Sequence, residues 1–133
     1  MLHAANFSLG VQLFQRLVAL AAQLTRGSEF DAHLIETHHA AKRDAPSGTA
    51  LSLIAAANAA SGGVLPVSSV RVGHVPGTHT LVLDAPFEQI TLTHEARDRR
   101  VFAAGALAVA DWLRTQTGVR TLDDYLAARL TSS

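Results

Sequence analysis

The apolar residues of this chain change their period along its length, and that change limits which layers it can build. From Ser8, a side chain suited to capping a helix, Leu13, Phe14, Leu17, Leu20, Ala21 and Leu24 recur at the i, i+3, i+4, i+7 spacing of one buried helical stripe. Gly27 after Arg26 reads as the stop. Residues 29–37 alternate instead, with Phe30, Ala32 and Leu34 on one parity and Asp31, His33 and Ile35 on the other, so a strand is expected. A second helix is predicted from near Ser47 to Gly62 and Gly63, its body rich in alanine (Ala55, Ala56, Ala57, Ala59, Ala60) and suited to close packing. Strands are predicted at 67–72, 78–83 and 87–94, the last two joined as a hairpin through Asp84, Ala85 and Pro86. Asp98 is placed to cap a helix reaching Thr117, with Phe102, Ala106, Val109, Ala110 and Leu113 facing inward and Gly118 ending it; a short helix follows Thr121. The order α, β, α, β, β, β, α, α, with no internal repeat or long linker, implies one α+β domain over residues 4–133: a mixed open sheet of about four strands packed with helices.

Composition excludes several kinds of function. The 133 residues include no cysteine, which removes disulfides and thiolate metal sites. Eleven basic and eleven acidic residues cancel, leaving no bulk field to recruit nucleic acid or an anionic membrane. No run approaches the length of uncharged apolar chain that crosses a bilayer, and Met1 to His3 is too short for a signal-peptide n-region, so a cytoplasmic location is expected. Neither a G-x-G-x-x-G nor a P-loop pattern occurs, so the chain is not expected to hold a nucleotide by itself.

Chemistry concentrates in one stretch. Lys42 is the single lysine among the basic residues, and a lysine ammonium is both a compact point charge and a group that can give up a proton. Glu36 and His38 share a strand face, a start for a metal site. A third ligand is not evident nearby and the adjacent ammonium opposes a cation, so no metal is expected. His38 and His39 point to opposite faces; a histidine there titrates near neutrality and is chemically able to act as general acid or base. The run from Asp44 through Ala45, Pro46, Ser47, Gly48 and Thr49 is a tight turn feeding a helix. Its unpaired amides, the positive helix end and the Ser47 and Thr49 hydroxyls suit a carboxylate or phosphate. Arg99, within the cluster Arg97, Arg99 and Arg100, is the guanidinium best suited to hold a second carboxylate if it faces the same pocket.

Residues 36–50, ETHHAAKRDAPSGTA, closely resemble the E-x-H-H-x-x-K-x-D-A-P-S-G-T-A signature of the dihydrodipicolinate reductases. The opening Ala5-Asn6-Phe7-Ser8-Leu9-Gly10 resembles that family's hinge, and Gly77-Thr78-His79-Thr80, His94, Arg99, Phe102 and Gly105-Ala106 resemble its later landmarks. The resemblance is to the carboxy-terminal half, so the family's amino-terminal dinucleotide-binding domain is expected to be absent from this chain. It implies pyridine-nucleotide-dependent reduction of a cyclic dicarboxylate on the route to diaminopimelate and lysine.

Carried over by position, the resemblance implies that His38 is the general acid, with Lys42 its partner in proton donation and carboxylate pairing. It also implies that His39, Ser47, Gly48, Thr49 and Arg99 contact substrate, and that Ala4, Ala5, Asn6 and Phe7 lie beside the cofactor. NADPH or NADH is expected in the complete enzyme, with none bound tightly by this chain alone. A homotetramer assembled through the sheet is implied, with no nucleic-acid or membrane partner. Leu122, Tyr125 and Leu126, on the helix that in the family returns to the other domain, are expected to be exposed or repacked. The competing expectation is a non-catalytic anion-binding or oligomerisation module derived from such an enzyme.

Overall fold

The structure, a computed structural model, describes Leu2 and residues 8–132. Its elements are α1 (Leu9–Leu24), β1 (Asp31–His38), α2 (Gly48–Ser61), β2 (Val67–Arg71), β3 (Thr78–Ala85), β4 (Glu88–Glu95), α3 (Arg100–Leu113) and α4 (Leu122–Thr131). The α+β expectation and the element order hold, and the four strands form one mixed sheet in the order β2-β1-β3-β4, with β1 and β2 parallel and the other pairs antiparallel.

Local chemistry explains the boundaries. Ser8 caps α1 by accepting from the Val11 N–H at 3.3 Å, and Ser47 caps α2 by accepting from the Ala50 N–H at 3.1 Å. Gly62 closes α2 in the left-handed conformation, its N–H bonded to the Asn58 carbonyl at 2.8 Å. The Asn58 side chain then accepts from Leu65 N–H and directs the chain into β2. The hairpin turn falls on Pro86 and Phe87, one residue beyond its expected place. α3 starts at Arg100, whose N–H donates to the Asp98 carboxylate, and stops at Leu113 rather than Thr117. Beyond Leu113 the backbone tightens into i to i+3 turns (Thr115 to Trp112, Gln116 to Leu113), which cannot continue an α-helix.

The core lies between α1, α2 and one face of the sheet, where Phe14, Val18, Leu34, Leu53, Leu81 and Leu83 interlock with Ala50 and Ala57. The expected α1 stripe is corrected here. Val11, Phe14 and Val18 are buried, whereas Leu13, Leu17, Leu20 and Leu24 are 40%, 52%, 51% and 73% exposed. The reason is α2: its alanine face invites close approach, and the Phe14, Val18, Ala21 and Ala22 side of α1 fits that gap better than a row of leucines. In α3 only Val109 is buried; Ala110 is exposed, contrary to expectation. Tyr125 and Leu126 of α4 are buried, the tyrosine packing edge-on to Trp112 with ring centroids 5.4 Å apart, and Asp123 pairs with Arg16 of α1. This helix is repacked rather than exposed.

Candidate active site at the carboxyl end of β1

Strand parity builds the site. On the covered face, register sets Val67, Leu34, Leu81 and Leu92 side by side across the sheet. The next row toward the carboxyl end of β1 is Ser69, Glu36, His79 and His94. His38, ending β1, pairs with Arg71, ending β2. The same face is therefore hydrocarbon in its middle and polar at one end.

Glu36 is wholly buried, which by itself raises a carboxyl pKa, yet hydrogen bonds from Arg71, Ser69 and His38 and the guanidinium charge hold it at about 2. Arg71 Nη2 donates to Glu36 Oε1 at 2.8 Å, and His38 Nδ1 lies 2.5 Å from Oε2. Arg71 also donates to the Asp44 carbonyl at 2.6 Å, tying β2 to the turn before α2. His79 stacks edge-on against His38 at 5.3 Å and its Nε2 lies 3.2 Å from the Ser47 hydroxyl; burial lowers its pKa to about 4. Burial likewise lowers His38 from the ordinary histidine value, with the Lys42 and Arg71 charges adding to the shift and Glu36 opposing it. Gly77 backs this ring: a Cβ there would stand 3.0 Å from His38 Nε2, at a backbone φ of +157° that side chains avoid.

A second group of residues gathers outside. The Lys42 N–H bonds the His39 carbonyl at 3.1 Å, closing a tight turn, and Lys42 Nζ pairs with Asp44 at 2.9 Å, which lowers the Asp44 pKa. Arg99 Nη2 reaches His39 Nε2 at 3.3 Å from the other end of the chain. These two line a cleft of about 500 Å³ with Gly73, His74, Pro76 and Asp98. His39 and Arg99 thus meet at the cleft, while His38, Lys42, Ser47, Gly48 and Thr49 are not part of its wall. Ser47 is buried and its hydroxyl is engaged with Ala50 and His79, which holds the helix start. Gly48 is exposed, and a Cβ on it would meet nothing within 4 Å, leaving open space before the first turn of α2.

Residues 4–7, expected beside the cofactor, lie outside the described residues. In the unit β1-α2-β2, the strand-to-helix turn carries Lys42, Asp44 and Pro46 where a dinucleotide turn needs a run of glycines. Among the described residues that turn does not fit a pyridine nucleotide. The expectation that a third metal ligand is lacking is corrected: ligand atoms of Glu36, His38 and His79 lie within 4.8 Å of one another. The Arg71 guanidinium on Glu36 supplies the positive charge a cation would otherwise bring, and no metal role is assigned.

Residues 10–126 match the family described as "Dihydrodipicolinate reductase, C-terminus". The chain belongs to this family. It is 43% identical to the 4-hydroxy-tetrahydrodipicolinate reductase of Gluconobacter oxydans (strain 621H), covering 94% of this chain and 57% of that protein. With the reductase of the same name from Christiangramia forsetii (strain DSM 17595 / CGMCC 1.15422 / KT0803) it is 36% identical, over 95% of this chain and 58% of the relative. The chain therefore spans little more than half the length of these relatives. Its fold is similar to that of the dipicolinate-bound dihydrodipicolinate reductase from Paenisporosarcina sp. TG-14, with a TM-score of 0.74 at 23% identity, covering 90% of this chain and 52% of that one.

Two residues of this reductase-family domain escaped the sequence reading. Arg71 was not singled out, because its place beside Glu36 depends on β2 lying parallel to β1, which no local pattern states. His79 entered only as a family landmark; its contacts with His38 and Ser47 cross from β3. A signal for burial of Glu36 did exist, since it shares the parity of Ala32 and Leu34.

Proposed function

We propose that this chain is the substrate-binding and oligomerisation part of a 4-hydroxy-tetrahydrodipicolinate reductase, working with a pyridine-nucleotide-binding unit that belongs to the rest of the enzyme. The observation that carries the reading is the gathering of cationic groups at one end of β1. Lys42 is locked by a turn to His39, and His39 is met by Arg99 across sixty residues of sequence at the cleft. A cyclic dicarboxylate carries two anionic ends. The uncrowded α2 start at Gly48 with Lys42 suits one, and the planar Arg99 guanidinium with His39 suits the other.

His38 is the general acid of this reading, with Lys42 as its partner. Its lowered pKa keeps it neutral while the site is empty, and a bound dianion raises its proton affinity, so the substrate's own charge loads the acid. The Ser47 hydroxyl orients the helix start and His79 without touching substrate.

Isothermal titration with pyridine-2,6-dicarboxylate tests the proposal. The chain is expected to bind it, and Lys42→Ala and Arg99→Ala are each expected to weaken binding at least about tenfold, the loss of one charge-assisted contact. No heat with the unaltered chain, or unchanged affinity in both variants, overturns it.

A further inference from the structure

We propose that Arg71 and Glu36 are positioning residues for His38: the guanidinium fixes the carboxylate, and the carboxylate fixes the imidazole in the tautomer that leaves Nε2 as the proton-exchanging atom. This rests on the reading of His38 as the general acid, but its geometry stands independently of any ligand. A carboxylate with no solvent exposure must be paired to be tolerated, and Glu36 is paired at both oxygens, by Arg71 Nη2 at 2.8 Å and by His38 Nδ1 at 2.5 Å. Because it is ionised it can only accept, so the hydrogen in the short contact belongs to Nδ1. A neutral imidazole carries one hydrogen, so Nε2 holds the lone pair and is the atom that gains and loses a proton.

The arrangement also joins the two groups of the candidate site. Arg71 spans Glu36 and the Asp44 carbonyl, and the Asp44 side chain holds Lys42 Nζ. A chain of polar contacts therefore runs from Lys42 through Asp44, Arg71 and Glu36 to His38. The groups facing His38 are Glu36 on β1, Lys42 on the following turn, Arg71 on β2 and His79 on β3, the last with His94 of β4 beside it. Glu36 alone would favour the imidazolium; burial, joined by the Lys42 and Arg71 charges, offsets it, so that the ring rests neutral but correctly turned. Substrate contacts are not required of either positioning residue.

Nitrogen-15 and carbon-bound proton spectra of the histidine rings in the ligand-free chain test this directly. The unaltered chain is expected to show His38 protonated at Nδ1 with an unprotonated Nε2. Glu36→Gln, whose amide oxygen goes to Arg71 and whose NH2 turns to the ring, is expected to switch His38 to the Nε2–H form. Arg71→Gln is expected to raise the His38 titration midpoint, since a cation opposing protonation is gone. An Nε2–H tautomer in the unaltered chain overturns the proposal even if neither variant folds, as does an unswitched tautomer in Glu36→Gln or an unmoved midpoint in Arg71→Gln. Dicarboxylate titration of the same samples separates the two ideas. Absence of binding with the expected tautomers removes the substrate reading and leaves the positioning pair standing.

Discussion

His79 shows how much of the behaviour of this domain rests on single buried side chains. Burial holds its pKa near 4, well below the ordinary 6.5, so the native chain binds fewer protons than the unfolded chain between those values. The stability conferred by its neutral form is therefore complete above about pH 6.5 and drains away as pH falls toward 4, by about 1.4 kcal/mol per pH unit inside that window. Glu36 acts lower: its stabilising charge is present above 4.5 and is lost as pH falls toward 2. Urea unfolding followed from pH 7 to 4.5 is expected to show this slope and a shallower one in His79→Gln; equal slopes in the two proteins refute the assignment. Legibility at this scale was uneven for a physical reason. Parity along β1 already put Glu36 and His38 on the face of Leu34, whereas Arg71 and His79 reach them only through strand pairing, a long-range property that a linear pattern does not encode.

At the scale of elements, local signals were reliable where a single residue enforces the boundary. Ser8, Ser47 and Gly62 cap where their side chains or backbone freedom require, because a helix end must satisfy its own amides and carbonyls. The buried face of α1 was misassigned because two adjacent stripes were both apolar, and the choice between them was made by the neighbouring helix. An alanine-lined surface on α2 selects small and aromatic partners over leucines. The end of α3 was misplaced because Gly118 marks where the chain turns, not where α-helical bonding stops. Ser47 links this scale to the site, since one hydroxyl both caps α2 and meets His79. Ser47→Ala is expected to cost about 1–2 kcal/mol in urea unfolding, the upper range of a lost cap, because a buried histidine nitrogen loses its partner as well. A change under about 0.5 kcal/mol would mean that neither contact contributes as described.

For the whole molecule the question is what becomes of the second sheet face. Every buried strand residue among those described, from Leu34, Glu36 and His38 on β1 to His79, Leu81, Leu83 and Ala85 on β3, lies on the side covered by α1 and α2. The opposite side presents His33, Ile35 and Thr37 of β1, Val70 of β2, Thr80 and Val82 of β3, and Thr91 and Thr93 of β4. The middle of this face carries no carboxylate or guanidinium of the kind that keeps a sheet surface solitary; Asp31, Asp84 and Glu95 lie on it only in its end rows. β-Branched side chains on a flat pleated surface fit a second copy of the same surface, and closed symmetry is the common way for identical chains to satisfy such a patch. The domain is therefore expected to self-associate through this face, fourfold if it follows the assembly that the family resemblance implies. Size exclusion with light scattering should return a multiple of the 14.0 kDa chain mass. Ile35→Arg with Val82→Arg should reduce it to that of one chain while leaving the helix-covered core and the folded circular-dichroism spectrum intact, since both side chains point away from that core. A monomer of the unaltered chain at tens of micromolar would refute the association, and a double variant that stays assembled would move the interface elsewhere, to the exposed leucines of α1 before any other surface.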